Sequence, residues 1–341
     1  MRVPASQGIN RRARAAWIAF VLVLAAVVPA GAYLKLGTRV GTRTESLRWR
    51  QFPVRYFVSN VGVNGVTPTQ FQGAVERAFN TWHGVENVDI SGQFAGFVQS
   101  SPGVEDGANV LGFLSRPGQD RTLAATSFTV DVTDGRLLES DIFFNTIFAW
   151  STAQTGEADR FDVESIALHE IGHLLGLSHS ALGETELISA GRRVIAAESV
   201  MFPIAFNRGN IADRTLKADD IAGITDIYAS TSASRLLGSI SGRVTKNGRG
   251  VMGAHIVAFN PQSGALVGGF TLDANGAFVI AALHPGPYIL RAEPLDDGDL
   301  NSFFDSGFDI DLDFRVKFHE HAVIVPRGGG VRDIEIKVVP K

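Results

Sequence analysis

His169, Glu170, His173, Gly176 and His179 fall within eleven positions of a 341-residue chain that has eight histidines in all. Residues four apart share one face of a helix, so His169 and His173 project together and can hold one metal ion. Glu170 lies beside that face, within reach of a water at the ion. Gly176 follows one turn later, where a left-handed residue costs least. The chain can turn there and bring His179 back as a third donor. Three neutral imidazoles with an open fourth position are the donor set of a catalytic zinc site. Glu170 is then the candidate general base, taking a proton from the attacking water and passing it to the leaving amine of a cut peptide. The bland reading is a buried helix with incidental histidines. Five fixed residues weigh against it more heavily than a lone His-Glu-x-x-His would.

The elements around this run can be read from periodicity. "DVESIALHEIGHLLG" (162–176) predicts a helix capped by Asp162. "TPTQFQGAVERAFNTWHGV" (67–85) predicts another, opened by Thr67 or Thr69, with apolar residues at Phe71, Val75, Phe79 and Trp82. "LKADDIAGITDIYAS" (216–230) predicts a third. "VRYFVSN" (54–60), "NVLGFL", "TLAATSFTV" and "DIFFN" read as strands. The pattern changes after "STSAS" (230–234). Seven short alternating runs follow, separated by turn signals such as Asn247-Gly248 and Asn275-Gly276. They predict a small β-sandwich. We therefore expect 47–230 to be a mixed α+β domain, 231–237 a linker and 238–341 an all-β domain, the two folding independently.

The extended histidine pattern is the metzincin signature. Within that group the chain resembles the matrixins, the family of the matrix metalloproteinases. Ser180 directly after the third histidine fits that branch, and "SVMFP" (199–203) is similar to its Met-turn, with Met201 beneath the metal. Asp219 and Asp220 match an acidic pair of its closing helix, and "RYFVSN" and "AFNTW" resemble its first strand and first helix. The likeness runs over about residues 50–230. It implies a twisted, mostly parallel five-stranded sheet with three helices. It also implies an extended peptide lying along "TLAATSF", with backbone bonds from Leu123 and Ala124. The wall from Pro203 to Ala205 would shape the pocket just beyond the cut.

Several departures carry expectations of their own. The loop from His179 to Met201 is longer than usual in the family and contains "GRRV"; it is a candidate cover for the cleft or a specificity element. Ala125 and Phe143 stand where a structural zinc would need histidines, so one zinc per chain is expected. Calcium is a further candidate ion, near Asp141 and Asn145 or in the aspartate-rich stretch 296–313, although that spacing matches no EF-hand. His319 and His321 share a strand face but lack a third donor nearby. Residues 238–341 resemble carboxypeptidase regulatory-like domains, which have a transthyretin-like sandwich; a surface or a glycan is the candidate ligand, and a plain spacer is the alternative.

Composition narrows the rest. The net charge of −4, with no basic stripe beyond the N-terminus, argues against nucleic acid. Arg11, Arg12 and Arg14, the apolar run 15–28 and Ala30-Gly31-Ala32 predict a signal peptide over residues 1–32. Residues 33–46 would then be a flexible mature start. That run is too short for a membrane span, so no stable span is expected after cleavage. The chain has no cysteine, which excludes disulfides, thiol catalysis and latency through a cysteine switch. The expectation is a secreted zinc endopeptidase acting on protein or peptide substrates, with periplasm or cell surface as other destinations. The rival is a non-catalytic binding or adhesion protein that uses the same folds as a scaffold, against which Glu170 argues.

Overall fold

The computed structural model describes residues 35–40, 43–189, 191–304 and 308–341. The expected signal peptide lies outside the described residues. No helix among those described is long and apolar enough to cross a membrane.

The segment expected to be a flexible start is partly ordered. β1 (Gly37–Val40) and β2 (Arg43–Ser46) form an antiparallel ribbon. Three bonds account for its order. Leu36 N–H donates to the Gly176 carbonyl at 3.0 Å, Leu47 N–H closes on Leu36, and Lys35 forms an ion pair with Asp226. Leu36, Leu47 and Leu137 bury one another.

The first domain is a five-stranded sheet in the order β4-β3-β5-β7-β6. β3 (Val54–Ser59), β4 (Gly92–Val98), β5 (Asn109–Leu114) and β7 (Arg136–Asn145) run parallel. β6 (Ala124–Asp131) is antiparallel and forms an edge. Helix α1 (Pro68–His83) starts at a capping box between Thr67 and Gln70, with Pro68 in the first turn. Its buried face, Phe71, Ala74, Val75, Ala78, Phe79 and Trp82, follows the helical period. The Trp82 indole N–H donates to the Leu168 carbonyl at 2.9 Å, tying α1 to α2 (Val163–Leu174). A short parallel pair, β8 (Trp150–Ser151) and β9 (Phe161–Asp162), leads into α2. The long loop after His179 is a hairpin of β10 (Gly183–Ile188) and β11 (Gly191–Ala197). Helix α3 (Ala218–Tyr228) completes the domain.

The second domain has two sheets. One holds β12 (Gly238–Lys246), β13 (Arg249–Gly250), β16 (Ala277–Leu283) and β20 (Gly330–Val338). The other holds β14 (His255–Phe259), β15 (Leu266–Phe270), β17 (Gly286–Glu293), β18 (Lys317–Phe318) and β19 (Val323–Val325). The whole is α+β followed by all-β, as expected.

The two domains, expected to fold independently, are in apolar contact. One continuous set of buried side chains runs from Ile171, Met201 and Ile224 through Ile240, Ile256 and Ile280. The residues expected to be a linker include a single helical turn, α4 (Thr231–Ser234), capped by Ser230 and with Ala233 buried. Composition suggested a tether because serine and threonine cap turns as readily as they populate flexible chain.

Candidate metal centre

α2 is positioned at both ends. At its start, the Asp162 carboxylate accepts from Ser165 N–H at 2.9 Å and pairs with Arg214 at 2.6 Å. At its end, Gly176 takes φ +99°, and a side chain there would meet the Leu47 carbonyl oxygen at 2.2 Å. Only glycine serves both needs. From that turn the chain swings His179 back toward the helix.

A tight loop, Ser199–Pro203, lies against the same helix. Asp220 on α3 holds it, accepting from Ser199 Oγ at 2.6 Å, Val200 N–H at 2.9 Å and Met201 N–H at 3.2 Å. Met201 is buried, and a side chain at Gly172 would lie 2.3 Å from its Sδ. Helix and loop are therefore in direct contact.

The three histidines meet. One ligand atom from each of His169, His173 and His179 lies within 4.8 Å of the others. His173 Nε2 and His179 Nε2 are 3.2 Å apart. On each ring the other nitrogen faces a backbone carbonyl: Val200 at 2.7 Å for His169, Leu177 at 2.8 Å for His173 and Ser302 at 2.5 Å for His179. A carbonyl only accepts, so each Nδ1 carries the proton and each Nε2 lone pair points inward. Burial, with His179 nearby, holds His169 down to about 3. Burial likewise keeps His173 well below its usual value and lowers His179. All three rings are neutral at pH 7, the state a metal ligand needs. Zinc fits this donor set. No other group of three or more such ligands occurs among the described residues.

Glu170 is buried on the next position of α2. Thr126 Oγ on β6 donates to its carboxylate at 2.6 Å. Burial pushes the carboxyl up to about 7, and the Thr126 bond opposes that rise. A carboxyl near neutrality can both take and return a proton at physiological pH. Thr126 was not singled out from sequence. Its signal is the strand alternation that puts it on the same face as Ala124, visible only once α2 is known to lie there.

The other expected site residues divide. Ala124 opens the edge strand. Its neighbour Leu123 accepts from Asn145 N–H of β7, so strand alternation turns the Ala124 N–H and C=O to the free edge. Leu123 differs from expectation: its carbonyl accepts from Asn145 N–H at 2.8 Å and faces β7. Pro203 is half-buried beyond Met201. Asp141 accepts from Gly103 and Val110 N–H at 2.5 and 2.6 Å, and burial lifts it to about 6. Asn145 donates to the carbonyls of Arg116, Gln119 and Thr122. Both anchor loops. In the aspartate-rich stretch, Asp297 binds Thr185 and Asp311 pairs with Lys246. His319 is half-buried and His321 exposed, their rings 6.4 Å apart.

A helix and its turn that present three inward imidazoles, with a buried carboxylate alongside, define a three-histidine metal domain. The matrixin pattern matches residues 48–229, more than half of the chain, and the chain belongs to the matrixin family. Matrixins are zinc metalloendopeptidases. A carboxypeptidase regulatory-like domain matches residues 239–296. Metalloendoproteinase 1 of Glycine max is 29% identical over 175 residues, covering 46% of this chain and 45% of that protein. Stromelysin-1 of Rattus norvegicus is 26% identical over 191 residues, 55% of this chain and 34% of its own length. Metalloendoproteinase 1-MMP of Arabidopsis thaliana is 37% identical over 75 residues, 22% of this chain and 16% of its own. The chain spans less than half the length of these curated relatives.

Proposed function

We propose that this chain is an exported zinc endopeptidase that hydrolyses extended protein or peptide substrates. The observation that carries the reading is the convergence of three neutral imidazoles beside a buried carboxylate. His169, His173 and His179 would hold one zinc, which when bound supplies Lewis acidity toward water and the scissile carbonyl. The chain's own residues do the rest. The free edge at Ala124 aligns the substrate backbone as an added strand. Glu170 takes the proton of the attacking water and returns it to the leaving amine. Thr126 Oγ fixes the rotamer in which that carboxylate works. Pro203 and the residues after it border the pocket beyond the cut. A buried carboxylate with no ion pair among the described residues is a cost that a mere scaffold has no reason to retain.

Export is part of the proposal and rests on the basic start, apolar run and small-residue site of residues 1–32. The destination is extracellular.

The test is an unbiased peptide library incubated with the full chain, before and after chelation and after added zinc. Cleavage that disappears with the metal and returns with zinc is expected, with His173→Ala inactive and zinc-free because two imidazoles hold zinc far less well than three. Cleavage that survives His173→Ala would exclude this centre.

A further inference from the structure

We propose that the sandwich loop Asp297–Phe304 is a positioning element of the metal centre, holding His179 in its ligating orientation through the Ser302 carbonyl. The proposal rests on the zinc-site reading above and assigns the second domain a role within it.

Each ring is fixed in its own way. His169 and His173 stand on α2, so helix geometry sets their directions before any partner is added. Their Nδ1 partners, Val200 and Leu177, come from the same domain. His179 has no such frame. It lies past Gly176 on irregular chain, and its Nδ1–H donates to a carbonyl 123 residues away in the other domain. The Phe303 ring stands edge-on to the His179 ring, with centroids 6.4 Å apart. Remove this loop and nothing described on the first domain accepts that proton.

A clamp must itself be held. Leu300–Ser302 is a 3-10 turn, and Phe303 and Phe304 are buried in a cluster with Ala181, Phe270, Leu272 and Leu295. Ala181 is only two residues past His179, so the cluster packs directly behind the ligand. On one side Asp297 accepts from Thr185 N–H at 2.9 Å, fixing the loop to hairpin β10–β11. Further away, Asp219 on α3 accepts from Gly268 N–H of β15 at 2.8 Å and from Ser180 Oγ at 2.5 Å. The residue after the third histidine is thus bonded to a carboxylate that also grips the sandwich. These contacts all bear on one short segment, 179–185. A tethered spacer would have no need of any of them.

Partners of this kind around a metal ligand are worth about 10–100-fold in metal affinity. The experiment is zinc affinity of the full chain by competition with a chromophoric chelator. Phe303→Ala and a variant with Leu300–Phe304 replaced by glycines are compared with wild type and with Ile324→Ala, an exposed site on β19. We expect zinc binding about 10–100-fold weaker in both loop variants and unchanged in Ile324→Ala. Thermal melts of the metal-free proteins report whether each variant is folded. Should the glycine variant unfold, NMR of the wild-type zinc protein still decides: a slowly exchanging His179 Nδ1 proton is expected. A rapidly exchanging proton, or a folded loop variant that binds zinc as tightly as wild type, would overturn the proposal. Wild type that binds no zinc would instead sink the metal-site reading, so the two failures are distinguishable.

Discussion

His173 and His179 reach the same point in space with different backing. His173 sits on the last turn of α2, and its partner carbonyl, Leu177, is four residues away. His179 depends on a left-handed glycine before it, a serine–carboxylate bond after it and a carbonyl from a second domain. A ligand on a helix takes its order from local geometry. A ligand on a loop takes it from tertiary contacts, which can come from anywhere in the chain. The difference teaches where this site is open to change: along α2 a substitution acts locally, whereas around His179 it acts through the domain interface.

The largest break of that comparison is removal of the sandwich. A chain ending at Leu237 uncovers Ala181 and Leu182, both buried in the full chain. Uncovering Leu182 costs about 1.5–3 kcal/mol, and each kcal/mol shifts the melting temperature by about 2–4 °C in a domain of this size. A drop of about 3–12 °C is expected by calorimetry, with weakened zinc binding. A truncated chain that melts with the full protein and keeps its zinc would restore the view of two independent units.

A smaller effect is expected at Thr126. Thr126→Val keeps the shape of β6 and removes the hydroxyl that donates to Glu170. A hydrogen bond to a charged group contributes about 1.5–3 kcal/mol, so kcat should fall about 10–100-fold. KM and zinc content should stay near wild type, because the change lies on the proton-transfer side of the site and not on the ligands. Equal turnover would show the hydroxyl to be idle.

A third test sharpens the interface half of the comparison. Burial, reinforced by Asp220, lifts the Asp219 carboxyl from 3.8 to about 7 in the folded chain. The folded chain therefore binds this proton more tightly than the unfolded chain does. The stability so conferred is full below about pH 4 and is lost as pH rises through about 7. Asp219→Asn removes the titration. In metal-free protein, the stability of wild type relative to this variant should decline across that window in chemical denaturation. A difference independent of pH would contradict the assignment.

Much of this was legible in the sequence, for reasons that also explain the gaps. Thr67, one of two candidate caps, marked the start of α1, Asp162 the start of α2, and the alternation after Ser234 marked a β domain. Side-chain type carries those signals. The Ser302 carbonyl carries none, since every residue has one, and its role depends on a fold that brings position 302 to position 179. The ribbon strands at 37–40 and 43–46 were missed because they are polar and short; their order comes from docking on Gly176 and Asp226. Leu123 was expected at the free edge, but strand phase is set by the bond to Asn145, and one residue of shift reverses every backbone group.

The central claim is that Glu170 moves the proton in a zinc-dependent peptide hydrolysis. It is tested most directly by the turnover of Glu170→Gln with zinc content measured on the same sample. Glutamine keeps the size and the bond from Thr126 but cannot take a proton. The account predicts one zinc per chain, as in wild type, and a rate lower by at least about 10²–10⁴-fold. Near-normal turnover by the zinc-loaded variant would contradict it.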